Sequence, residues 1–182
     1  MTPTTANRTP AIRSLPKVPP MSHTSLRTSI VRAATCVAVA APLALAVAPS
    51  ASATTTTDLA KQVIVLVNAE RKKVGCAPVR TGTALGTAAR LHSVDMARYS
   101  YFSHTSRDGR SPWQRIRAQK YYWGSAENIA AGQTSAKSVM AAWMKSSGHR
   151  RNILNCSNKA LGVGVARGGS YGIYWTQDFG TR

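Results

Sequence analysis

The sequence predicts one α+β domain, with helices first and a small antiparallel sheet closing the chain. Three observations carry that prediction. Apolar residues recur at helical spacing in separate stretches between Leu59 and Ser146. After Leu161 they switch to strict alternation. At 182 residues and 43% hydrophobic content, the chain is long enough to close a single core.

The domain does not begin at residue 1. Arg27 and Arg32 precede an apolar run from Ala33 to Ala48, broken by Thr35 and Pro42. Ala51-Ser52-Ala53 then offers the small-x-small pattern of a signal-peptidase site. Residues 1–53 read as an export leader, with Met21 as a start that would give it a more ordinary length. Residues 54–58 are a polar lead-in, and 59–182 the domain. The apolar run falls short of the ~20 residues a bilayer span needs, and no later stretch approaches that length. An uncleaved anchor is the alternative. The expectation is a secreted, extracellular monomer, free or held at the cell wall.

Charge and cysteines agree with export. The chain has 24 Lys and Arg against 6 Asp and Glu, a net of +18. The leader holds five of the basic residues (Arg8, Arg13, Lys17, Arg27 and Arg32) and no acidic one, which leaves +13 after it. A surface this basic is drawn to polyanions, and outside a cell these are anionic wall polymers and lipid head groups rather than nucleic acid. Cys36 leaves with the leader. Cys76 and Cys156 remain as an even pair, most simply a disulfide in an oxidising compartment. Neither stands in the CxxC or CxH spacing of a zinc site.

In chain order, Thr57 is placed to cap a helix over Leu59–Val74, with Asp58 in its first turn and Gly75 just past its end. Leu59, Val63, Leu66 and Val67 form its stripe. An extended Cys76-Ala77-Pro78-Val79 leads to a second helix near Thr83–Tyr99, where Leu85, Ala89, His92 and Met96 share one face. A polar loop through Ser106-Arg107-Asp108-Gly109 follows. Ser111-Pro112 opens a short helix over Trp113–Gln119. Tyr121-Tyr122-Trp123 reads as packing rather than a cofactor platform. Ser135–Ser146 is a third main helix with Val139, Ala142 and Trp143 inward. Leu161, Val163 and Val165 alternate with small residues, Gly168-Gly169 makes a hairpin turn, and Tyr171, Ile173 and Trp175 alternate on the return strand.

The residues with chemistry to offer lie between Ser103 and Leu154. His104 and His149, two of the chain's four His, and Glu127, one of its six acidic residues, sit in loop or element-end surroundings. Two imidazoles and a carboxylate can start the shell of a divalent metal, zinc above all, or make a His–Glu pair for proton transfer. Their gaps of 23 and 22 residues match no short metal motif. On spacing alone, scattered surface groups, with Glu127 paired to one of many arginines, are the plainer reading. His92 is either a packed core histidine or a third site imidazole.

Several separated motifs come in the order found in one family. These are Leu66-Val67-Asn68-Ala69-Glu70-Arg71, Phe102-Ser103-His104, Ala126-Glu127-Asn128-Ile129, Trp143 with Gly148-His149-Arg150 and Asn152-Ile153-Leu154, Leu161-Gly162-Val163-Gly164, and Trp175-Thr176-Gln177-Asp178-Phe179-Gly180. From Leu59 to Gly180 the chain resembles the CAP superfamily (cysteine-rich secretory protein, antigen 5, pathogenesis-related type 1; the SCP domain), in its bacterial secreted branch. The resemblance implies an α-β-α sandwich and a central cleft of two His and two Glu that binds a divalent metal in some members. His104, Glu127 and His149 match three of those four. The second Glu would stand where this chain has Ser146, so the tetrad is incomplete.

The first expectation is a secreted binding module whose cleft or basic surface takes an anionic lipid, wall glycan or peptide, a reading the high positive charge favours, with a divalent metal, zinc first, as the one cofactor expected. The first alternative is an extracellular, peptidase-like hydrolase, in which His104 or His149 acts as base, oriented by Glu127, through water or Ser146. The missing carboxylate and the absence of a GxSxG pattern weigh against it. The second alternative is a structural or stress-protective exoprotein without a cleft ligand.

Overall fold

The first helix, α1 (Thr56–Lys73), starts two residues before Asp58 because Thr55, not Thr57, is its cap. The Thr55 hydroxyl accepts from the Asp58 amide at 3.1 Å, and the Asp58 carboxylate accepts from Thr55 in return. Most of the polar lead-in is therefore helical. The structure, a computed structural model, describes residues 54–182; the expected leader, with Cys36 and Met21, lies outside the described residues. After α1 come β1 (Arg80–Thr81), α2 (Thr83–Tyr99), α3 (Pro112–Ala118), β2 (Gly124–Ala131), α4 (Ala136–Lys145), α5 (Ser147–Leu154), β3 (Ala160–Arg167) and β4 (Ile173–Gly180).

The sheet is mixed and larger than the expected hairpin. Its four strands run β1-β3-β4-β2, with β1 parallel to β3 and the other neighbours antiparallel. Strand β2 escapes a reading by alternation because Glu127 and Asn128 are both buried, on opposite faces of it. Helix α5 escapes because Gly148 stands in its first turn. Between β3 and β4 the chain turns through Gly168–Gly172 rather than a two-residue turn, with all three glycines at positive φ. Tyr171 belongs to that loop and is exposed, not part of the return strand.

Helices cover both faces of the sheet, which makes the α-β-α sandwich. Leu161, Val163 and Val165 of β3 and Ile173, Trp175 and Phe179 of β4 face α1, α4 and α5, where they meet Leu59, Val63, Val67, Val139, Trp143 and Ile153. Ala142 is only half-buried; Ala136 and Met140 complete the inward face of α4. The opposite face of the sheet receives α2, which packs Met96 and Ala97 on Ala166 and Tyr174, and Leu85 and Ala88 on Ala160.

That second contact sets the closeness of the layers. A Cβ built on Gly162 would stand 2.0 Å from the Gly86 nitrogen, and one on Gly164 2.2 Å from the Ala89 and Arg90 backbone. The alternation of Leu-Gly-Val-Gly-Val thus encodes two different neighbours: large residues toward α1, and no side chain toward α2.

The opposite layer is pinned by a buried cation. Arg71, the first of the three basic residues Arg71-Lys72-Lys73, is internal. Its guanidinium donates to the carbonyls of Ala77, Ile153, Asn155 and Asn158 at 2.8–3.1 Å. Two of these cap the end of α5, where a cation also meets the negative end of the helix dipole. Beside it Cys76 and Cys156 form a disulfide with Cα atoms 5.0 Å apart.

This packing has two measurable consequences for stability. Gly164→Ala is expected to lower the unfolding free energy by about 3 kcal/mol or more, because backbone must move. Gly148→Ala, which meets nothing within 4 Å, is expected to stay within about 1 kcal/mol of wild type. Urea denaturation of both variants decides; equal effects would mean the α2–β3 approach is not limiting. Replacing both cysteines by serine opens a loop of separation 80 and should cost on the order of 4 kcal/mol. An unchanged melting temperature would show that the cross-link contributes nothing.

Candidate functional site

The site is built outward from α2. His92 is buried on its inward face, and its Nε2–H donates to the Ser103 carbonyl at 2.9 Å. A carbonyl only accepts, so Nε2 carries the proton and Nδ1 faces the Ser106 hydroxyl at 3.5 Å. Burial, helped by the nearby Arg115 charge, pushes the His92 pKa down to about 4, so the ring is neutral. His92 is the packed core histidine, and its work is to tie down the loop that carries His104.

Arg115 holds the same loop from the other side. It comes from α3, whose start is fixed by a capping box between Ser111 and Gln114 with Pro112 in the first turn. Its Nη1 donates to the carbonyls of His104 (2.8 Å) and Arg110 (3.0 Å) and to the Ser106 hydroxyl (3.0 Å). Its Nη2 meets Glu127 Oε2 at 2.5 Å, a buried ion pair. The loop is thus wrapped on a guanidinium.

Glu127 completes a line from the interior to solvent. Its side chain is 2% exposed, and its other oxygen, Oε1, accepts from His104 Nδ1 at 2.7 Å; the His104 ring is 51% exposed. Burial pushes the Glu127 carboxyl up, but the His104 hydrogen bond and the Arg115 charge outweigh it and hold it below the usual carboxylate range. The arrangement fixes the His104 ring through its Nδ1, and its Nε2 has no hydrogen-bond partner among the described residues.

Asp178 stands directly opposite Glu127 in the β2–β4 ladder. It is fully buried, and no N–H of the described residues donates to either of its oxygens, while the Glu127 carboxylate lies within hydrogen-bonding reach of it. Burial and the adjacent Glu127 charge raise its carboxyl well above the usual range. The two carboxyls therefore carry one negative charge, on Glu127, where the cation and the imidazole are.

His149 reaches the site from the other layer. It lies in the first turn of α5, half-buried rather than at an exposed turn. Buried Asn128 on β2 fixes that helix: its Nδ2 donates to the His149 carbonyl (3.2 Å) and to Gln177 Oε1 (3.0 Å), while Asn152 donates to its Oδ1 (2.8 Å). Burial, then the charge of His104, lowers the pKa of His149. With Ser146, Trp143, Phe102 and Tyr171, His149 lines a cleft of about 350 Å³ that runs over Ile129–Ala131 of β2. Strand β2 is an edge of the sheet, paired only with β4 among the described residues.

His104 and Glu127 are thus in direct contact, and His149 lies near enough to His104 to feel its charge. Ser146 shares the cleft with His149 but makes no hydrogen bond to it among the described residues. Nor do any three His, Cys, Asp or Glu side chains among them stand as a metal-ligand group. Two imidazoles are left as donors; Glu127 is committed to Arg115 and His104, and Ser146 supplies no carboxylate. This set does not fit a resident metal ion. Sequence reasoning missed Arg115 and Asp178. The first is one of 24 basic residues. The second carried a signal, as an acid within a strand whose neighbours are otherwise uncharged.

Comparison with known proteins agrees with the geometry. The model of the cysteine-rich secretory protein family (CAP) matches residues 64–179. The Bacillus subtilis protein YkwD is 42% identical over 120 residues, covering 65% of this chain and 46% of its own length. An extracellular SCP-domain protein of Bacillus anthracis superposes with a TM-score of 0.63 at 29% identity, over 70% of this chain and 41% of its own. The chain therefore spans less than half the length of either. An outer surface protein of Borrelia burgdorferi shares the fold, with a TM-score of 0.64 at 21% identity over 70% of this chain and 96% of its own.

The shared charge on Glu127 and Asp178 has a pH signature. Folded, Asp178 keeps its proton; unfolded, it ionises above about pH 4. Folding must therefore take up a proton, which costs about 1.4 kcal/mol per pH unit until the folded pKa is passed. Asp178→Asn removes that cost. Its unfolding free energy relative to wild type is expected to rise from pH 4 to pH 8. Parallel pH curves for the two proteins would show that Asp178 ionises normally in the fold.

Proposed function

We propose a binding function for this chain, which belongs to the cysteine-rich secretory protein (CAP) family: an extracellular module whose cleft holds an extended anionic ligand, a peptide before a lipid or a glycan. The extracellular part rests on the leader expected over residues 1–53 and on the Bacillus anthracis relative, which is described as extracellular. No helix among the described residues is long and apolar enough to cross a membrane.

The observation that carries the reading is the position of the cleft along the open edge of β2. An edge strand offers main-chain donors and acceptors to an incoming extended chain. Trp143, Phe102 and Tyr171 supply apolar walls, and Trp143 is held by its indole N–H on the Ile129 carbonyl at 3.2 Å. His149 supplies an imidazole to the cleft, with His104 near enough for its charge to be felt there, within a strongly basic domain.

The hydrolase alternative has less support. Glu127 orients His104 as that alternative requires, but Ser146, its candidate nucleophile, shares the cleft with His149 without a hydrogen bond to it among the described residues, and the second cleft carboxylate is missing. Zinc or another divalent metal has only the two imidazoles to hold it. The structural or stress-protective alternative leaves the cleft without a role.

Amide spectra of residues 54–182, titrated with a pool of acidic pentapeptides, test the proposal. Shifts are expected at Ile129, Ala130 and Ala131, with affinity falling about tenfold in His149→Ala. Shifts spread over the basic surface, and unchanged in that variant, would sink it. Zinc added alone is expected to give no tight one-site binding; a tight site lost in both His104→Ala and His149→Ala would restore the metal reading.

A further inference from the structure

Away from the cleft, three large aromatic side chains lie on one exposed patch that the fold does not require. Trp113 of α3 is 42% exposed, and Tyr122 and Trp123, just before β2, are 60% and 41% exposed. Trp113 and Tyr122 flank a shallow hollow together with Arg117. Tyr122 and Trp123 meet edge to face, with centroids 6.2 Å apart and planes at 89°. The Arg182 guanidinium lies 4.9 Å over the Trp123 ring. Tyr121 behaves differently: it is half-buried against the Leu85, Ala88 and Ile116 cluster, meets Trp123 at 5.8 Å and bonds the Arg182 carbonyl. Packing therefore explains Tyr121 and leaves the other three rings facing water.

We propose that this patch is a glycan-binding platform for an acidic polysaccharide, separate from the cleft. The axial C–H groups of a pyranose ring present an apolar, weakly positive face that suits the electron-rich face of an aromatic ring, while its hydroxyls stay in water. Rings set at right angles make a step into which a sugar fits, with one face on an indole and an edge on the neighbouring phenol. A membrane surface would instead favour a continuous insertion face with aliphatic residues, and the only aliphatic side chain lining the hollow, Ile116, is buried. The rim settles the sign of the ligand. Arg117, Lys120 and Arg182 stand in or beside the patch, and no acidic residue lies between Asp108 and Glu127 or after Asp178. Guanidinium groups pair with carboxylates through two parallel hydrogen bonds, so a sugar bearing a carboxylate matches both features.

The test uses residues 54–182 and polygalacturonate, read by tryptophan fluorescence and by co-sedimentation at about 0.3 M salt, where screening weakens unspecific attraction. The comparison probes are the methyl-esterified neutral polymer and vesicles of phosphatidylglycerol. Binding of polygalacturonate is expected, falling about tenfold in the Tyr122→Ala/Trp123→Ala variant and severalfold in Arg117→Ala. The neutral polymer should bind more weakly than the acidic one. An unchanged melting temperature identifies variants that keep the fold, and Trp113→Ala provides an independent ring deletion. Equal binding by wild type and the ring variants overturns the proposal. So does binding to the vesicles alone, which would make the patch a membrane contact. Loss of peptide binding in the cleft variants has no bearing on this outcome, because the patch and the cleft share no residue.

Discussion

The approach of α2 to β3 across Gly162 and Gly164 is the constraint from which the rest of the site descends. With no side chain between them, helix and strand pack backbone to backbone, and Ser93 reaches the Gly164 carbonyl and the Thr176 hydroxyl. This brings the adjacent His92 down to the level of the sheet edge. From there His92 fastens Ser103, Arg115 fastens His104 and Arg110, and Glu127 fastens the His104 ring. Each step fixes the geometry of the next. A wider spacing at the glycines would leave the loop without its anchor, while the hydrophobic core behind the sheet stayed largely intact.

Two buried arginines do different work in the two layers. Arg71 meets four main-chain carbonyls and no acid, so its burial is tolerated by hydrogen bonding and a helix terminus. Arg115 meets backbone and one carboxylate. Burying an ion pair costs more desolvation than simple attraction returns, unless further hydrogen bonds satisfy it. The loop carbonyls supply those bonds for the Nη1 of Arg115, whose Nε has no partner among the described residues, and His104 supplies one for Glu127. The same logic keeps Asp178 neutral: with one cation and two carboxyls in a dry site, only one carboxyl can ionise. A polar network of this kind gives a single arrangement of His104 rather than a reactive carboxylate.

The outer surface follows different rules. Edge strand β1 is two residues long and offers little to pair with, whereas β2 is eight residues long and only partly covered by Trp143. Long open edges attract other chains, and proteins usually cover them. Here the edge forms the floor of a cleft, walled by α4 and α5 on one side and by the loop residues Phe102 and Tyr171. The aromatic patch near Trp123 lies at the start of the same strand. Both features offer apolar side chains to solvent within a basic domain.

Local and pairwise signals in the chain suffice for the fold class, the places of α1 and α2, the final hairpin and the disulfide partners, while His104, Glu127 and His149 are singled out by the family whose ordered motifs the chain resembles. Those signals are periodicity, caps, glycines at ends and an even cysteine count. The remaining features exist only once the layers have come together. Strand β2 was hidden because a strand covered on both faces can bury polar residues on either one, so its pattern carries no period. In the sequence Arg71 cannot be told from the basic Lys72 and Lys73 beside it, because burial of its guanidinium depends on carbonyls 82 to 87 residues away. Arg115 was one cation among many until the fold placed it between a loop and Glu127. The proton on Asp178 exists only because the β2–β4 register sets two carboxyls side by side in a site that excludes water. No property of a single residue or its near neighbours in the chain specifies such a register.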